Sequence, residues 1–227
     1  MSAGLDLPPT TVVRMPVYLR ELNLLSRSGV EVVSSGALAE AVGVSPAQLR
    51  KDLSHLGSHG IRGVGYDVSR LQTQLGREMG SAHEWPVAII GLGNLGRALA
   101  GYSGFSSRGF RMVALVDPNP ALVGTQVNGL PITDLSDLEA IVARTGAVIA
   151  VLATPADAAQ AVADRLVRLG VTSILNFAAT VLTVPGGVTV RKVDLGQELQ
   201  ILAYHEQRKS EEPASSSALL VTARGDA

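Results

Sequence analysis

Val87-Ala88-Ile89-Ile90-Gly91-Leu92-Gly93-Asn94-Leu95-Gly96-Arg97-Ala98-Leu99-Ala100 is the stretch that decides the fold of this 227-residue chain. The apolar run Val87 to Ile90 is short enough for a buried parallel strand. The glycine turn follows at once, and Arg97 to Ala100 opens a helix. A second apolar run, Met112 to Val116, ends in Asp117, about 20 residues beyond the last glycine. Strand, G-x-G-x-x-G, helix, strand and acid in that order form the dinucleotide-binding fingerprint. Gly91 lets the backbone turn off the strand, Gly93 has no Cβ to block a pyrophosphate, and Gly96 lets the helix pack on the strand. The free N–H groups of the helix that starts near Asn94 then receive the phosphates. Asp117 is placed to accept hydrogen bonds from the adenosine ribose, and its charge repels a 2′-phosphate, so NAD(H) is expected over NADP(H).

Composition sets limits on the rest. Hydrophobic residues make up 46% of the chain and charged residues 17%, the balance of a folded protein with a sizeable core. No apolar run reaches the length of a membrane helix, so no membrane partner is expected. The first ten residues lack the basic-then-apolar pattern of a secretory signal, and the cytoplasm is the expected location. With no cysteine, disulfides, thiol nucleophiles and thiolate metal sites are excluded, and any redox sensing is not done by a thiol. The net charge of −1 means that a nucleic-acid surface must be a local patch.

Residues 1–13 read as a flexible leader, with Pro16 as the first residue of a helix that Gly29 stops. Its apolar face is expected at Val17, Leu19, Leu22, Leu24 and Leu25. A short helix at about Ser35 to Val42 and a turn at Gly43-Val44 lead to Ser45-Pro46-Ala47-Gln48, which reads as a capping box with a proline start. Leu49, Leu53 and Leu56 then form one apolar face, while Arg50, Lys51, Ser54 and His55 point the other way. Two short helices and a tight turn with polar groups on the second describe a helix-turn-helix. Gly57, Gly60, Gly63 and Gly65 suit a β-hairpin wing, with Arg62 near its tip available to a minor groove. A protein-docking role for this unit stays open at this level, because Arg50, Lys51 and Arg62 against Asp52 leave a small positive surplus.

Leu71, Leu75 and Met79 mark a short connecting helix before a boundary at Trp85-Pro86, with Trp85 expected to cap the base of the first strand. After Asp117 the alternation continues: a helix at Leu138 to Ala143, a strand at Ala147 to Leu152, a helix at Asp157 to Leu169 and a strand at Ser173 to Phe177. This βαβ pattern implies a parallel sheet with helices on both faces and ligands beyond the carboxyl ends of its strands. Gly91 to Gly96, Asp117-Pro118, Ala153-Thr154-Pro155-Ala156 and Asn176-Phe177-Ala178 are therefore expected to line one pocket. A late strand at Val188 to Val193 precedes an amphipathic helix from Leu195 to about His205, and a disordered tail is expected from Ser210.

The chemistry of a dehydrogenase is missing. His55, His59, His83 and His205 do not follow a strand of the nucleotide fold, and the lysines are confined to Lys51, Lys192 and Lys209. No catalytic set and no metal site is expected. A dinucleotide fold without a general acid or base, attached to a DNA-binding unit, reads as a sensor. Two other readings stay open on the residues: an NAD-dependent oxidoreductase with an N-terminal interaction domain, and a ligand-binding scaffold that docks a protein through residues 15–68.

Over about residues 8–206 the chain resembles the Rex family of redox-sensing transcriptional repressors. The resemblance is carried by Gln48-Leu49-Arg50-Lys51-Asp52-Leu53 with Gly63-Val64-Gly65-Tyr66, by Gly91 to Gly96, by Thr154-Pro155-Ala156 and by Ile174-Leu175-Asn176-Phe177-Ala178. It implies an α/β architecture in these segments: a winged helix-turn-helix domain with linker at 1–84, a Rossmann-type doubly wound parallel sheet binding NADH and NAD⁺ at 85–190, a domain-swapped C-terminal helix at 191–209, and a tail at 210–227. It further implies a homodimer that binds an inverted-repeat operator and is released by NADH. On that resemblance Arg50 and Lys51 face the major groove and Arg62 the minor groove, with Ser45, Gln48, Ser54 and His55 on the same DNA-facing surface. Gly91, Leu92, Gly93, Asn94, Leu95, Gly96 and Asp117 hold the dinucleotide. Tyr102, Thr154, Pro155, Asn176, Phe177 and Ala178 lie near the nicotinamide. Arg20 and Asp194 resemble an inter-domain ion pair formed in one state only. Ala179 and Thr180 depart from the family pattern, which has proline after Asn-Phe-Ala, and Leu195 stands where an aromatic residue is sometimes seen.

Overall fold

The computed structural model describes residues 7–58, 60–61 and 63–211. It divides into two compact units. One runs up to Glu84 and includes Gly104–Gly109; the other comprises Trp85–Ser103 and the chain from Phe110 onward.

The first unit is built from α1 (Pro9–Arg27), β1 (Val32–Val33), α2 (Ser35–Ala41), α3 (Pro46–His55), β2 (Tyr66–Asp67) and α4 (Val68–Glu78). The helix α1 starts at Pro9, so residues 9–13 are helical rather than a leader, and Pro16 lies inside the helix. The adjacent prolines Pro8 and Pro9 pre-set the first turn. Thr11, Met15, Tyr18 and Leu22 are the buried positions, one helical face. Val17 and Leu24, expected inside, are 48% and 47% exposed. An interior proline costs a backbone hydrogen bond; burial of this four-residue face offsets it.

The sequence motif at Ser45 forms half of a capping box. Ser45 Oγ accepts from the Gln48 N–H at 3.1 Å, but the Gln48 side chain turns to Asp52 instead of back to the cap. Leu49 and Leu53 are fully buried and Leu56 nearly so, as the i, i+4, i+7 spacing requires. The predicted connecting helix is α4, and it is a core element: Leu71 and Leu75 are buried in the same cluster as Tyr18, Leu38 and Leu53. In the glycine-rich segment Ile61 and Gly65 form an antiparallel bridge, and β2 pairs with β1. Gly65 sits at φ +122°, where a Cβ would meet the Val33 carbonyl oxygen at 2.3 Å.

Asp52 is the tie between α1 and α3. It is 1% exposed, and its carboxylate accepts from Thr11 Oγ1 (3.0 Å), Arg14 Nε (2.6 Å), Arg14 Nη2 (2.8 Å), Tyr18 Oη (2.7 Å) and Gln48 Nε2 (2.9 Å). Burial opposes ionisation here, but the hydrogen bonds from Arg14, Tyr18, Thr11 and Gln48 outweigh it and hold the carboxyl down at about 2.

In the second unit, β3 (Trp85–Ile90), β4 (Phe110–Asp117), β6 (Leu130–Asp134), β7 (Ile149–Leu152), β8 (Ser173–Asn176) and β9 (Thr189–Lys192) are parallel, and β5 (Gln126–Val127) runs antiparallel on β6. The order is β5-β6-β4-β3-β7-β8-β9, so the direction of winding reverses at β3. Side chains alternate accordingly. Ala88 and Ile90 pack with α6 (Leu138–Thr145) and α7 (Ala156–Arg168), whereas Val87 and Ile89 cluster with Leu92 and with Ala100 of α5 (Asn94–Ala100). This is the doubly wound sheet with both faces covered. The β5–β6 hairpin was not foreseen, although Asn128-Gly129 marks it: both residues have positive φ, 49° and 78°, as a two-residue hairpin turn needs. The last helix, α8 (Leu195–Glu211), extends one residue past Ser210, and the expected tail beyond it lies outside the described residues.

Replacing Asp52 by alanine strands the Arg14 charge and is expected to cost about 3–5 kcal/mol of stability, read as a lower denaturant midpoint. In the native chain the folded carboxyl keeps its charge to lower pH than the unfolded one. The network therefore contributes fully above about pH 5, and about 2–3 kcal/mol is lost as pH falls toward 2. Acid titration of wild type against Asp52→Ala measures that difference.

Candidate nucleotide site and nucleic-acid interface

Strand register builds the nucleotide site. Ile90 is aligned with Val116 and with Leu152, and Leu152 with Asn176. The ladder continues one step further through Gly91 N–H to the Val116 carbonyl (2.9 Å), Ala153 N–H to Ile90 (2.8 Å) and Phe177 N–H to Leu152 (2.8 Å). The loops that begin at Gly91, Asp117, Ala153 and Phe177 thus leave the sheet side by side at the edge where its winding reverses, where such sheets bind ligands.

The three glycines differ physically. Gly91 has φ +93° and a Cβ there would lie 2.6 Å from the Ala153 carbonyl oxygen. Gly96 leaves no space at all, since its Cβ would stand 1.8 Å from the Gly91 oxygen. Gly93 is the opposite case: φ is −65° and a Cβ would meet nothing within 4 Å. Its bare face opens outward, as close approach of a pyrophosphate requires. Asn94 and Leu95 are exposed beside it and Leu92 is buried in the core.

Asp117 is 7% exposed and braces the turn, accepting from the Leu92 N–H (2.5 Å) and the Asn119 N–H (2.8 Å). Ionised carboxylates have about four acceptor sites, so ribose hydroxyls can still be bound. Register places Asp134 beside Asp117, a second carboxylate at this corner that the sequence reading missed along with its hairpin. The Thr154 hydroxyl, at the carboxyl end of β7, is buried with no hydrogen-bond partner among the described residues. An orphaned donor at this place fits a bound polar group.

Asn176 stands at the carboxyl end of β8. It is fully buried; its Oδ1 accepts from the Ala178 N–H and its Nδ2 donates to the Thr180 carbonyl, both at 2.9 Å. The side chain shapes the loop 176–180, and Phe177 is half-buried against the sheet while Ala178 is in the core. Pro155 and Tyr102 are exposed, Tyr102 by 50%. Asp194 pairs with Lys192 at 3.0 Å and accepts from the Gln197 N–H at the start of α8; Arg20 is exposed on α1.

On α3, Arg50 and Lys51 are exposed, and Arg50 Nη1 donates to Ser35 Oγ at 3.1 Å. His55 is half-buried, Ser45 is the cap of the helix, and the Ser54 hydroxyl donates to the Lys51 carbonyl. Arg62 lies outside the described residues. With Asp52 buried and paired, the earlier charge count changes: Arg50 and Lys51 stand on this helix without an exposed acid beside them.

A winged helix joined in one chain to a dinucleotide-binding sheet defines a DNA-binding regulator that carries a nucleotide sensor. Residues 82–180 match the family described as "CoA binding domain", and residues 6–54 the one described as "Putative DNA-binding protein N-terminus". The redox-sensing transcriptional repressor Rex of Streptomyces avermitilis is 58% identical over 217 residues, covering 96% of this chain and 86% of its own. That of Desulfitobacterium hafniense is 42% identical, covering 88% and 96%. The chain also superposes on RSP in complex with NAD⁺ and operator DNA, with TM-score 0.85, 35% identity, and 90% and 94% of the two chains covered. RSP in complex with NADH gives 0.83 at 34% identity, covering 91% and 97%. The chain belongs to the Rex family of redox-sensing transcriptional repressors.

The glycine geometry separates binding from folding. Gly93→Ala is expected to keep the wild-type melting temperature and to weaken dinucleotide binding at least tenfold, whereas Gly96→Ala loses stability and binding together. Paired thermal melts and fluorescence titrations of the two variants check this.

Proposed function

We infer that this chain is a DNA-binding transcriptional repressor that senses the NADH/NAD⁺ balance. The observation that carries the reading is the joining of the two units in one chain, together with likeness along nine-tenths of its length to a repressor crystallised with NAD⁺ and operator DNA and with NADH. It acts as a homodimer. In support, α8 presents Leu195, Leu199 and Leu202 at 59%, 67% and 60% exposure, an apolar row left uncovered among the described residues. We assign this helix to exchange between protomers.

The dinucleotide is held by Gly91 to Gly96 at the phosphates and Asp117 at the ribose, with Thr154, Pro155, Phe177 and Ala178 toward the nicotinamide. The nicotinamide ring of NAD⁺ is a cation and that of NADH is neutral. A pocket walled by Phe177 and Pro155 favours the neutral ring, because desolvating a charge is costly. Binding of NADH shifts the dimer to the arrangement that does not fit the operator, and the shift can be no larger than its differential affinity for the two states. A tenfold loss of DNA affinity needs about 1.4 kcal/mol of coupling, and operator DNA weakens NADH binding by the same factor. Arg20 and Asp194 are proposed as an ion pair of one state, in exchange with the Lys192–Asp194 pair. The repressor catalyses no reaction in this reading: the loops Gly91 to Gly96, Ala153 to Ala156 and Asn176 to Ala178 contain no histidine or lysine. Operator DNA and the NADH pool place it in the cytoplasm.

The test is binding to a labelled inverted-repeat duplex at fixed salt, titrated with each nucleotide. NADH is expected to release the DNA at concentrations where NAD⁺ does not; equal effects of the two would remove the sensing role. Asp117→Ala should bind operator as wild type does but stay bound when NADH is added. Arg50→Ala should lose operator binding and keep NADH affinity. Loss of both would make Arg50 a structural residue.

A further inference from the structure

Gln48 occupies the third position of α3, at the end of a recognition helix that meets base edges. Its backbone N–H is fixed by Ser45 Oγ and its side-chain nitrogen by Asp52 Oδ1, at 3.1 and 2.9 Å. A carboxylate offers only lone pairs, so the nitrogen of the amide, not the oxygen, must face Asp52. Asp52 cannot turn away to accommodate the opposite orientation, because Arg14, Tyr18 and Thr11 of α1 hold both of its oxygens. Gln48 is only half-buried, and its Oε1 and second N–H have no partner among the described residues. What remains is an acceptor and a donor in fixed order. Adenine presents the complement in the major groove, a donor at N6 and an acceptor at N7, whereas guanine presents two acceptors. A free glutamine could turn both of its N–H groups to the two acceptors of guanine; with one N–H committed to Asp52, the locked amide sets its Oε1 against a guanine acceptor instead.

We propose that Asp52 is a positioning residue that locks the Gln48 amide so that it reads adenine, and rejects guanine, at one position of each operator half-site. The inference rests on the DNA-binding reading above and adds the base and the residue pair that chooses it.

The experiment is competition binding of the full-length protein to operator duplexes in which each A·T pair of a half-site is replaced in turn by G·C, repeated at several salt concentrations. Wild type is expected to lose at least tenfold at one position. Gln48→Ala should flatten that position to within about twofold, leave the other positions unchanged, and keep the wild-type salt slope, because no phosphate contact is removed. Asp52→Asn, confirmed folded by its melt, should narrow the adenine-to-guanine discrimination at the same position while non-operator binding stays as in wild type. A Gln48→Ala variant that retains the full positional profile, or whose salt slope falls by about one, overturns the proposal, and it does so even if Asp52→Asn fails to fold. A folded Asp52→Asn with wild-type discrimination overturns the part given to Asp52. Absence of any salt-dependent operator binding by wild type would instead overturn the DNA reading itself.

Discussion

The nucleotide domain depends on one steric constraint: the helix after the first strand begins in contact with the turn that it leaves. No side chain fits between Gly96 and the Gly91 carbonyl, where a Cβ would be 1.8 Å from oxygen. That contact sets how closely α5 starts against the turn, while Gly93, where a Cβ would meet nothing within 4 Å, stays bare on the outside. Asp117 then secures the turn from the neighbouring strand through the Leu92 N–H. The candidate ribose ligand is thereby also a structural brace, which couples occupancy of the site to the rigidity of the loop.

The DNA-binding unit solves a related problem with polar rather than steric means. A buried carboxylate is tolerated only when fully paired, and Asp52 receives a hydrogen bond from four different side chains. In a two-state repressor this matters because the helices α1 and α3 must move as one body if a change at the nucleotide is to reach the DNA. Interactions buried in the low-dielectric interior keep their strength at the salt concentrations that weaken phosphate contacts.

Much of the fold was legible in the sequence, for identifiable reasons. The strand–turn–helix at Val87–Ala100 obeys local steric rules, and the Leu49, Leu53, Leu56 face obeys helical period; both survive translation into three dimensions. The errors fall where long-range contacts decide. Pro16 looked like a helix start because the anchoring of Thr11 onto Asp52, 41 residues away, is invisible to a local pattern. Leu71 and Leu75 looked like a connector because their core partners lie on α1 and α3. Asp52 looked like an opposing surface charge because its role depends on Arg14 and Tyr18. The bonds that Asn176 makes within its own loop were not legible, since its partner carbonyl at Thr180 belongs to a loop with no regular pattern. The β5–β6 hairpin, by contrast, was signalled by Asn128-Gly129 and could have been found.

The division of α3 into an anchored face and a displayed face bears on how such a repressor diversifies. Arg50 and Lys51 are exposed, with Arg50 bonded to Ser35 at the start of α2, so on the proposed reading exchanging them would alter the DNA preference at little expense to folding. Gln48 is shared between the two faces through its bond to Asp52, so on the proposed reading its replacement would also remove one bond from the anchor. Retargeting by laboratory selection would therefore move quickly through the exposed basic positions and slowly through Gln48. Lineages that drift to new operators should carry the Asp52 anchor along unchanged as a fixed chassis.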